Sequence, residues 1–360
     1  MLLKLGAILP FVEKAMSSPS LRAVQLAITN LKDLNALDRQ ENLTPLGYHL
    51  ARLPVEPHIG KMILFGAIFS CLDPVLTVAA SLGFKDPFVI PLGKEEEADR
   101  RRREFAAGSK SDHLMLINAF KSWERAKSQG RESERRFCWD NFLSANTLKM
   151  LSNMKQQFAE LLQDIGFVQT RNPSNPQCNK NSGNIRLVKA VICAGLYPNV
   201  AKVRGPKQHF RKRPPKLVTK HEKVQLHPKS VNADEKYFED GWLIYHMKMK
   251  TTQVFLYDCT MISPYPLLFF GGDITIQKDG NQETVAVDNW IVFRAATKTA
   301  KLVKGLRHEL DTVLQQKITR PGAINWDEKS KEGQLMRGII QLITTEDSSQ
   351  DYDDDYYSDD

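Results

Sequence analysis

No run of apolar residues in this sequence approaches the roughly 20 needed to cross a bilayer. The longest candidates, such as Ile63–Cys71, are short and sit among charges. Cysteine is equally sparse. The five present (Cys71, Cys138, Cys178, Cys193 and Cys259) include no CxxC pair, which argues against a zinc site or a disulfide framework. Packed, reduced thiols of the cytosol or nucleus are the expectation. There is no GxxxxGK[ST] loop to cradle phosphates and no Asp-Glu pair closing a buried strand to hold magnesium. GxSxG, HExxH and paired-carboxylate constellations are missing too, and the eight histidines are dispersed. By itself the chain is expected to bind no cofactor or metal and to catalyse nothing. The opening MLLKLGAILPFVEKAM lacks a small-residue cleavage site, and Glu13 and Lys14 interrupt it. It therefore reads as an amphipathic helix rather than a secretory signal.

What is present is charge, unevenly placed. The net charge is +8, yet eight acidic residues and no Lys or Arg lie from Glu346 onward. The first 345 residues thus carry fifty basic against thirty-four acidic side chains, a net +16. A body this basic suits a polyanion partner, because each cation near a phosphate releases condensed counterions. A merely solvated basic surface is the plain alternative.

Hydrophobic spacing divides the 360 residues into a multidomain α+β chain. Residues 1–55 show two short helices and a Thr44-Pro45 helix start, with a small hairpin across Ala36–Thr44. That order fits a winged-helix unit, and a plain helical bundle fits the pattern nearly as well. Residues 56–168 are helical almost throughout. Their charged run Lys94–Glu104 is expected as a solvated helix, and Lys85–Pro91 as an extended connection stiffened by two prolines. Residues 169–184, rich in Asn, Pro and Ser, read as a linker. A helix and short β-compatible segments then alternate with turns over residues 185–296, predicting a small barrel or sandwich. A basic helix over Thr297–Gln316 and an amphipathic stretch follow within residues 297–345. The acidic tail, residues 346–360, cannot build a core and is expected to be disordered.

Candidate binding residues cluster in the second half. Between Lys202 and Lys223 there are nine basic residues against one acid, Glu222. Lys202, Arg204, Lys207, Arg211, Lys212, Arg213 and Lys216 flank or occupy a Gly- and Pro-marked loop between strands. Basic loops on a small barrel are how oligonucleotide-binding folds grip phosphates; a localisation-signal-like or disordered loop is the alternative. At His227, Lys229 and Ser230, imidazole, ammonium and hydroxyl donors meet in one turn, and Lys248, Lys250 and Thr251 mark a strand end. Tyr197 is among the aromatics able to stack on a base, although most barrel aromatics are core.

Several of these stretches carry a family resemblance. Leu43-Thr44-Pro45-Leu46-Gly47 through Leu53-Pro54-Val55-Glu56-Pro57 resembles the segment that follows the second RecA-like domain of DEAH-box helicases. Ser111-Asp112-His113, Asn118-Ala119-Phe120 and Trp123, with Cys138–Leu143 and Leu148–Met154, resemble their ratchet domain. Ala190–Ala201 and the His-Pro-x-Ser element at His227–Ser230 resemble their C-terminal oligonucleotide-binding (OB) fold. Phe84–Pro91 and Leu267–Ile274 look most like the quadruplex-resolving members. The resemblance implies an accessory nucleic-acid-binding module of an ATP-dependent helicase of nucleus and cytoplasm. Its expected ligands are single-stranded or G-quadruplex RNA or DNA. ATP and Mg2+ would belong to RecA-like domains, whose motifs these residues lack, and Met1 falls inside what would be the winged-helix domain. The chain is therefore expected to be a fragment. The resemblance also implies that Ser111, Asp112 and His113 face the strand channel, and for Ser111 and Asp112 a helix-capping role is equally open. The alternative function is a regulatory module that receives an activating protein partner and carries an autoinhibitory acidic tail.

Overall fold

Helix starts follow from local chemistry. Ser20, Thr44, Ser111, Ser144, Asn184 and Ser330 each accept, through the side chain, an N–H three residues ahead that would otherwise have no partner. The computed structural model describes residues 8–12, 14–204, 215–279 and 282–345. Lys207, Arg211, Lys212 and Arg213, and the acidic tail, lie outside them.

The first unit holds α1 (Ile8–Val12), α2 (Leu21–Asp33) and α3 (Pro45–Leu50). A single bridge between Leu37 and Leu43 forms its wing, with the turn held by Asp38 accepting from the Asn42 backbone. The ratchet unit comprises α4 (Pro57–Ile68), α5 (Leu72–Gly83), α6 (Glu95–Ala106), α7 (Asp112–Ser128), α8 (Arg131–Asp140) and α9 (Ala145–Ile165). α6 departs from expectation. Arg102 within it is buried, lying over the Phe88 ring and pairing with Asp86, while Arg103 reaches Asp234 at 3.1 Å. The helix is solvated on one side only. Residues 170–184 are equally far from a free linker. The side chains of Asn179 and Asn181 bond the backbone of Asp73 and Phe69, and Cys178 is buried, which straps the segment to α5.

α10 (Ile185–Leu196) leads into β1 (Val200–Arg204), β2 (Lys216–Val218), β3 (Lys223–Leu226), β4 (Trp242–Lys250) and β5 (Val254–Ile262). These close a barrel in the order β1-β2-β3-β5-β4, antiparallel except for β3 with β5. After α11 (Pro264–Phe270), strands β6 (Ile274–Asp279), β7 (Gln282–Val287) and β8 (Ile291–Arg294) make a separate three-stranded sheet rather than more of the barrel. α12 (Thr297–Thr319) and α13 (Lys331–Thr344) complete the described chain.

The packing has two cores of unequal size. The barrel interior is small, built from Ala201, Val203, Leu217, Leu243, Leu256 and their neighbours. Most of the other buried apolar residues share one core that runs from Leu34 to Ile343, and the outer side of the barrel at Val200, Trp242 and Ile244 joins it. Among its tightest contacts is α10 against α4. A Cβ on Gly195 would lie 2.5 Å from the Met62 Cβ and 3.1 Å from the His58 carbonyl. Gly195→Ala is therefore expected to cost about 1–3 kcal/mol by overpacking, read as a lower urea midpoint at unchanged slope. All five cysteines are buried and free, and burial pushes the Cys71 and Cys193 thiols up to about 12.

Candidate nucleic-acid interface

The sequence-selected residues separate into four places. The first is a joint between ratchet and barrel. Ser111 caps α7, its hydroxyl accepting the Leu114 N–H at 3.0 Å, and it also meets the Thr260 hydroxyl at 2.6 Å. The His113 Nδ1 shares that same hydroxyl at 2.7 Å. Asp112 accepts three bonds from the barrel: the Ser230 hydroxyl at 2.7 Å and the backbone N–H groups of Val231 and Cys259, each at 2.8 Å. Ser111 and His113 have no exposed surface and Asp112 is 2 % exposed. The expectation of strand-facing side chains at these three positions, and at Ser230, is corrected by this burial. Capping is what Ser111 does, and Asp112 binds the barrel.

Electrostatics at the joint follow from its dryness. Burial raises the Asp112 carboxyl, and the three donated bonds oppose that rise. Burial drives the His113 imidazole down to about 3, with the charge of His246 adding to it, so it is neutral. Asp258, one residue before the Cys259 amide and in left-handed backbone, is raised to about 7 by burial, with Asp112 and Asp86 repelling its charge. Lys110 borders the joint, donating to the Tyr237 carbonyl and to Glu239. Thr260, Asp258, Lys110 and Asn232, whose amide donates to the Lys110 and Cys259 carbonyls, were not singled out from sequence. Their partners lie more than a hundred residues away or on another strand, where no periodicity points.

The second place is the outward row of the barrel. Lys202 and Arg204 project from β1 on the side opposite the inward Ala201 and Val203. Arg204 is paired in register with Lys216 of β2, and both are exposed. Neither has an ion-pair partner among the described residues. Like charges directly opposite across an antiparallel pair destabilise it. The pair stands where the chain leaves β1 for residues 205–214 and returns on β2. Beside it the Lys202 ammonium lies 5.8 Å from the Trp242 ring centroid. On the β4–β5 hairpin, Lys248 pairs with Glu222 at 2.6 Å, whereas Lys250 and Thr251 are exposed at its tip.

The third place is the His227 turn. Its imidazole stacks on Tyr257 with centroids 4.2 Å apart, and its Nδ1 accepts the Lys229 N–H at 3.2 Å. Burial, with the nearby Lys229 and Arg102 charges, lowers the imidazole, so this is a neutral aromatic plate beside the exposed Lys229.

The fourth is a cavity of about 1000 Å³ where the winged-helix unit, α4, the barrel and α12 converge. Tyr197 and Lys248 line it together with Lys61, His221 and Arg307, all missed from sequence. The Tyr197 hydroxyl donates to Asp288, and burial raises it. Lys61 is brought down to about 8 by desolvation, with the Arg307 guanidinium adding to the effect. A lysine and a histidine, Lys61 and His58, on the largely apolar α4 were the available signal. Among the described residues no group of three or more His, Cys, Asp or Glu is placed to hold a metal ion, and no helix is long and apolar enough to cross a membrane.

Four known domain families match consecutive stretches of the chain. A winged-helix helicase-associated domain (HA2) covers residues 27–55 and a ratchet-like one residues 56–116. An oligonucleotide/oligosaccharide-binding fold covers residues 188–274, and a C-terminal domain in RNA helicases residues 283–345. The third match ends at β6, where the structure passes from barrel to separate sheet. Over 368 aligned residues the chain is 57% identical to the ATP-dependent DNA/RNA helicase DHX36 of Bos taurus, covering 99% of this chain and 36% of that protein. The same figures hold for the protein of that name from Homo sapiens. Identity to the DExH-box ATP-dependent RNA helicase DExH1 of Arabidopsis thaliana is 44% over 347 residues, covering 96% of this chain and 33% of that protein. The chain thus spans about a third of the length of these relatives.

Proposed function

Because the chain belongs to the DEAH-box helicase family and carries its winged-helix, ratchet and OB-fold domains in order, we propose that it grips nucleic acid for an ATP-driven helicase that unwinds RNA or G-quadruplex RNA or DNA. The observation that carries this is the Arg204–Lys216 pair, two exposed cations held opposite one another where β1 ends and β2 begins. A fold keeps such a pair at a cost unless a polyanion neutralises it. The His227–Tyr257 plate with Lys229 adds a stacking surface, and Lys250 with Thr251 adds donors at the hairpin tip. The quadruplex part rests on the resemblance at Leu267–Ile274, whose Phe270, Gly271, Gly272 and Asp273 form a wall of the central cavity. That DNA as well as RNA is included rests on 57% identity to a relative named as a DNA/RNA helicase. ATP and Mg2+ would be held by RecA-like motor domains, since these 360 residues contain no phosphate-cradling loop.

The test is binding of single-stranded RNA across a salt series. The parent chain should bind at low salt with a negative log–log slope. Arg204→Glu with Lys216→Glu should weaken binding by about tenfold or more and flatten the slope by roughly 1–1.5, at about 0.7 per lost phosphate contact on a single strand. No binding at low salt, or an unchanged slope, would remove the basis for this function. Competition by an intramolecular quadruplex against an unfolded strand of the same composition then tests the finer claim.

A further inference from the structure

The basic helix noted in the sequence is not used by the barrel. From Trp290 to His308 the chain has five Lys or Arg and no acid. Arg307 is committed internally, donating to the Leu268 and Gly271 carbonyls and pairing with Asp311. The other four, Arg294, Lys298, Lys301 and Lys304, are exposed, and no ion pair or hydrogen bond engages their side chains among the described residues. α12 turns Ala300, Leu310 and Leu314 into the core, which leaves the lysines on its outer side. The three lysines span about 9 Å along the helix axis, at 1.5 Å per residue.

Two buried rings lie between this basic face and the barrel row. The Lys202 ammonium lies over the Trp242 ring, and Trp242 packs edge-on against Phe293 with centroids 5.7 Å apart. Arg294 is the next residue, and α12 begins three further on. Along β8 burial alternates, so Phe293 faces this packed seam and Arg294 the opposite side, and the cations of β1 and those that precede and open α12 form separate exposed patches. No aromatic side chain stands among these four cations, so the surface offers charge without base stacking. Lysine ammoniums without planar or stacking partners suit a sugar-phosphate backbone rather than a base edge.

We propose that Arg294, Lys298, Lys301 and Lys304 form a second backbone-binding surface, separate from the barrel row, which a strand longer than the barrel's own footprint reaches. This rests on the barrel's nucleic-acid role and extends the footprint beyond it. Neutralisation of the free lysines is the driving force, so the contribution is electrostatic and sequence-independent.

The experiment uses the full chain, two oligouridylates and a salt series. One strand of about 6 nucleotides fills a barrel alone, since OB folds occupy roughly 4–16; the other has about 20. Lys298→Gln with Lys301→Gln and Lys304→Gln should reduce the log–log slope on the long strand by about 2, from three contacts at roughly 0.7 each. It should weaken long-strand binding by about tenfold at low salt and leave the short strand unchanged. The corresponding Lys→Arg triple variant should keep the parent slope. Because these side chains are exposed, thermal midpoints should stay with the parent, separating lost contact from lost fold. An unchanged long-strand slope in the glutamine variant, alongside weakened binding in Arg204→Glu/Lys216→Glu, overturns the second surface and leaves the barrel reading standing. Failure of the parent to bind either strand at low salt overturns both. If the glutamine variant keeps the slope but loses a polyglutamate peptide that the parent binds, the face belongs to an acidic protein segment and the proposal is wrong.

Discussion

Asp112→Ala is expected to destabilise the chain by about 3 kcal/mol or more, although Asp112 forms no salt bridge among the described residues. The substitution strands the Val231 and Cys259 N–H groups and the Ser230 hydroxyl in a dry joint. Each buried donor left without a partner costs about 1–3 kcal/mol. Part of that sum is returned, because a buried carboxylate is itself expensive to desolvate. Asp112→Asn refines the test. Its amide keeps one acceptor, and the Ser230 hydroxyl can rotate to accept, but the Cys259 N–H would face an NH₂ group. An intermediate loss of about 2 kcal/mol is expected. Urea unfolding gives both values, and amide exchange at Val231 and Cys259 should quicken well beyond that of the barrel interior. A loss under about 1 kcal/mol for the alanine variant would mean that the joint is not held as described.

The second large effect is on pH dependence. Asp258 is raised from 3.8 to about 7, so between those values the folded chain holds a proton that the unfolded chain releases. Its contribution favours the fold below pH ~4 and is lost as pH rises through ~7. His113 is lowered from 6.5 to about 3, so in that window the unfolded chain holds the extra proton. Its contribution is complete above pH ~6.5 and is lost on acidification toward pH ~3. The two slopes oppose one another across roughly pH 4–6.5, each worth on the order of 3–4 kcal/mol at 1.36 kcal/mol per pKa unit. Burial also lowers His49, His58, His227 and His246, which tilts the whole profile toward loss in acid. The decisive quantity is therefore the difference between each variant and its parent. Asp258→Asn, at a left-handed position that asparagine tolerates, should gain stability at about pH 8 and lose that advantage near pH 4. His113→Gln should differ in the other direction, its deficit shrinking as pH falls. Two profiles that both run parallel to the parent would show that neither group titrates in the joint.

Much of the fold was legible because its signals are local. Ser111 before an apolar helix is a cap, and α4, α7 and α9 show their apolar faces at helical spacing. The alternation of short β-compatible segments over residues 185–296 is a local signal of the same kind, and all eight strands fall within it. Their assembly was not legible. Nothing within β6, β7 or β8 says that they pair with one another instead of entering the barrel, since alternation reports a buried face and not its partner. Charge composition misled in α6, where Arg102 is buried because Phe88 and Asp86 fold back onto it from an extended loop. At the interface, the basic row was visible as composition, while the register that sets Arg204 against Lys216 was not. Asp112 was the hardest case, because its partners lie 118, 119 and 147 residues ahead. A carboxylate that opens a helix looks the same in sequence whether it faces solvent or holds a neighbouring domain.

The unequal division of the packing has a mechanical consequence. Apolar contact is unbroken from Leu34 through the ratchet to Ile343, while the barrel keeps a small interior of its own. A pull on a strand held at the barrel's outer row would enter through Trp242, which is rooted in the larger core. It would reach the winged-helix unit beside the cavity of about 1000 Å³. The close packing of α10 on α4 would carry the tension as a lever does, with the cavity as the space into which the winged-helix unit gives way.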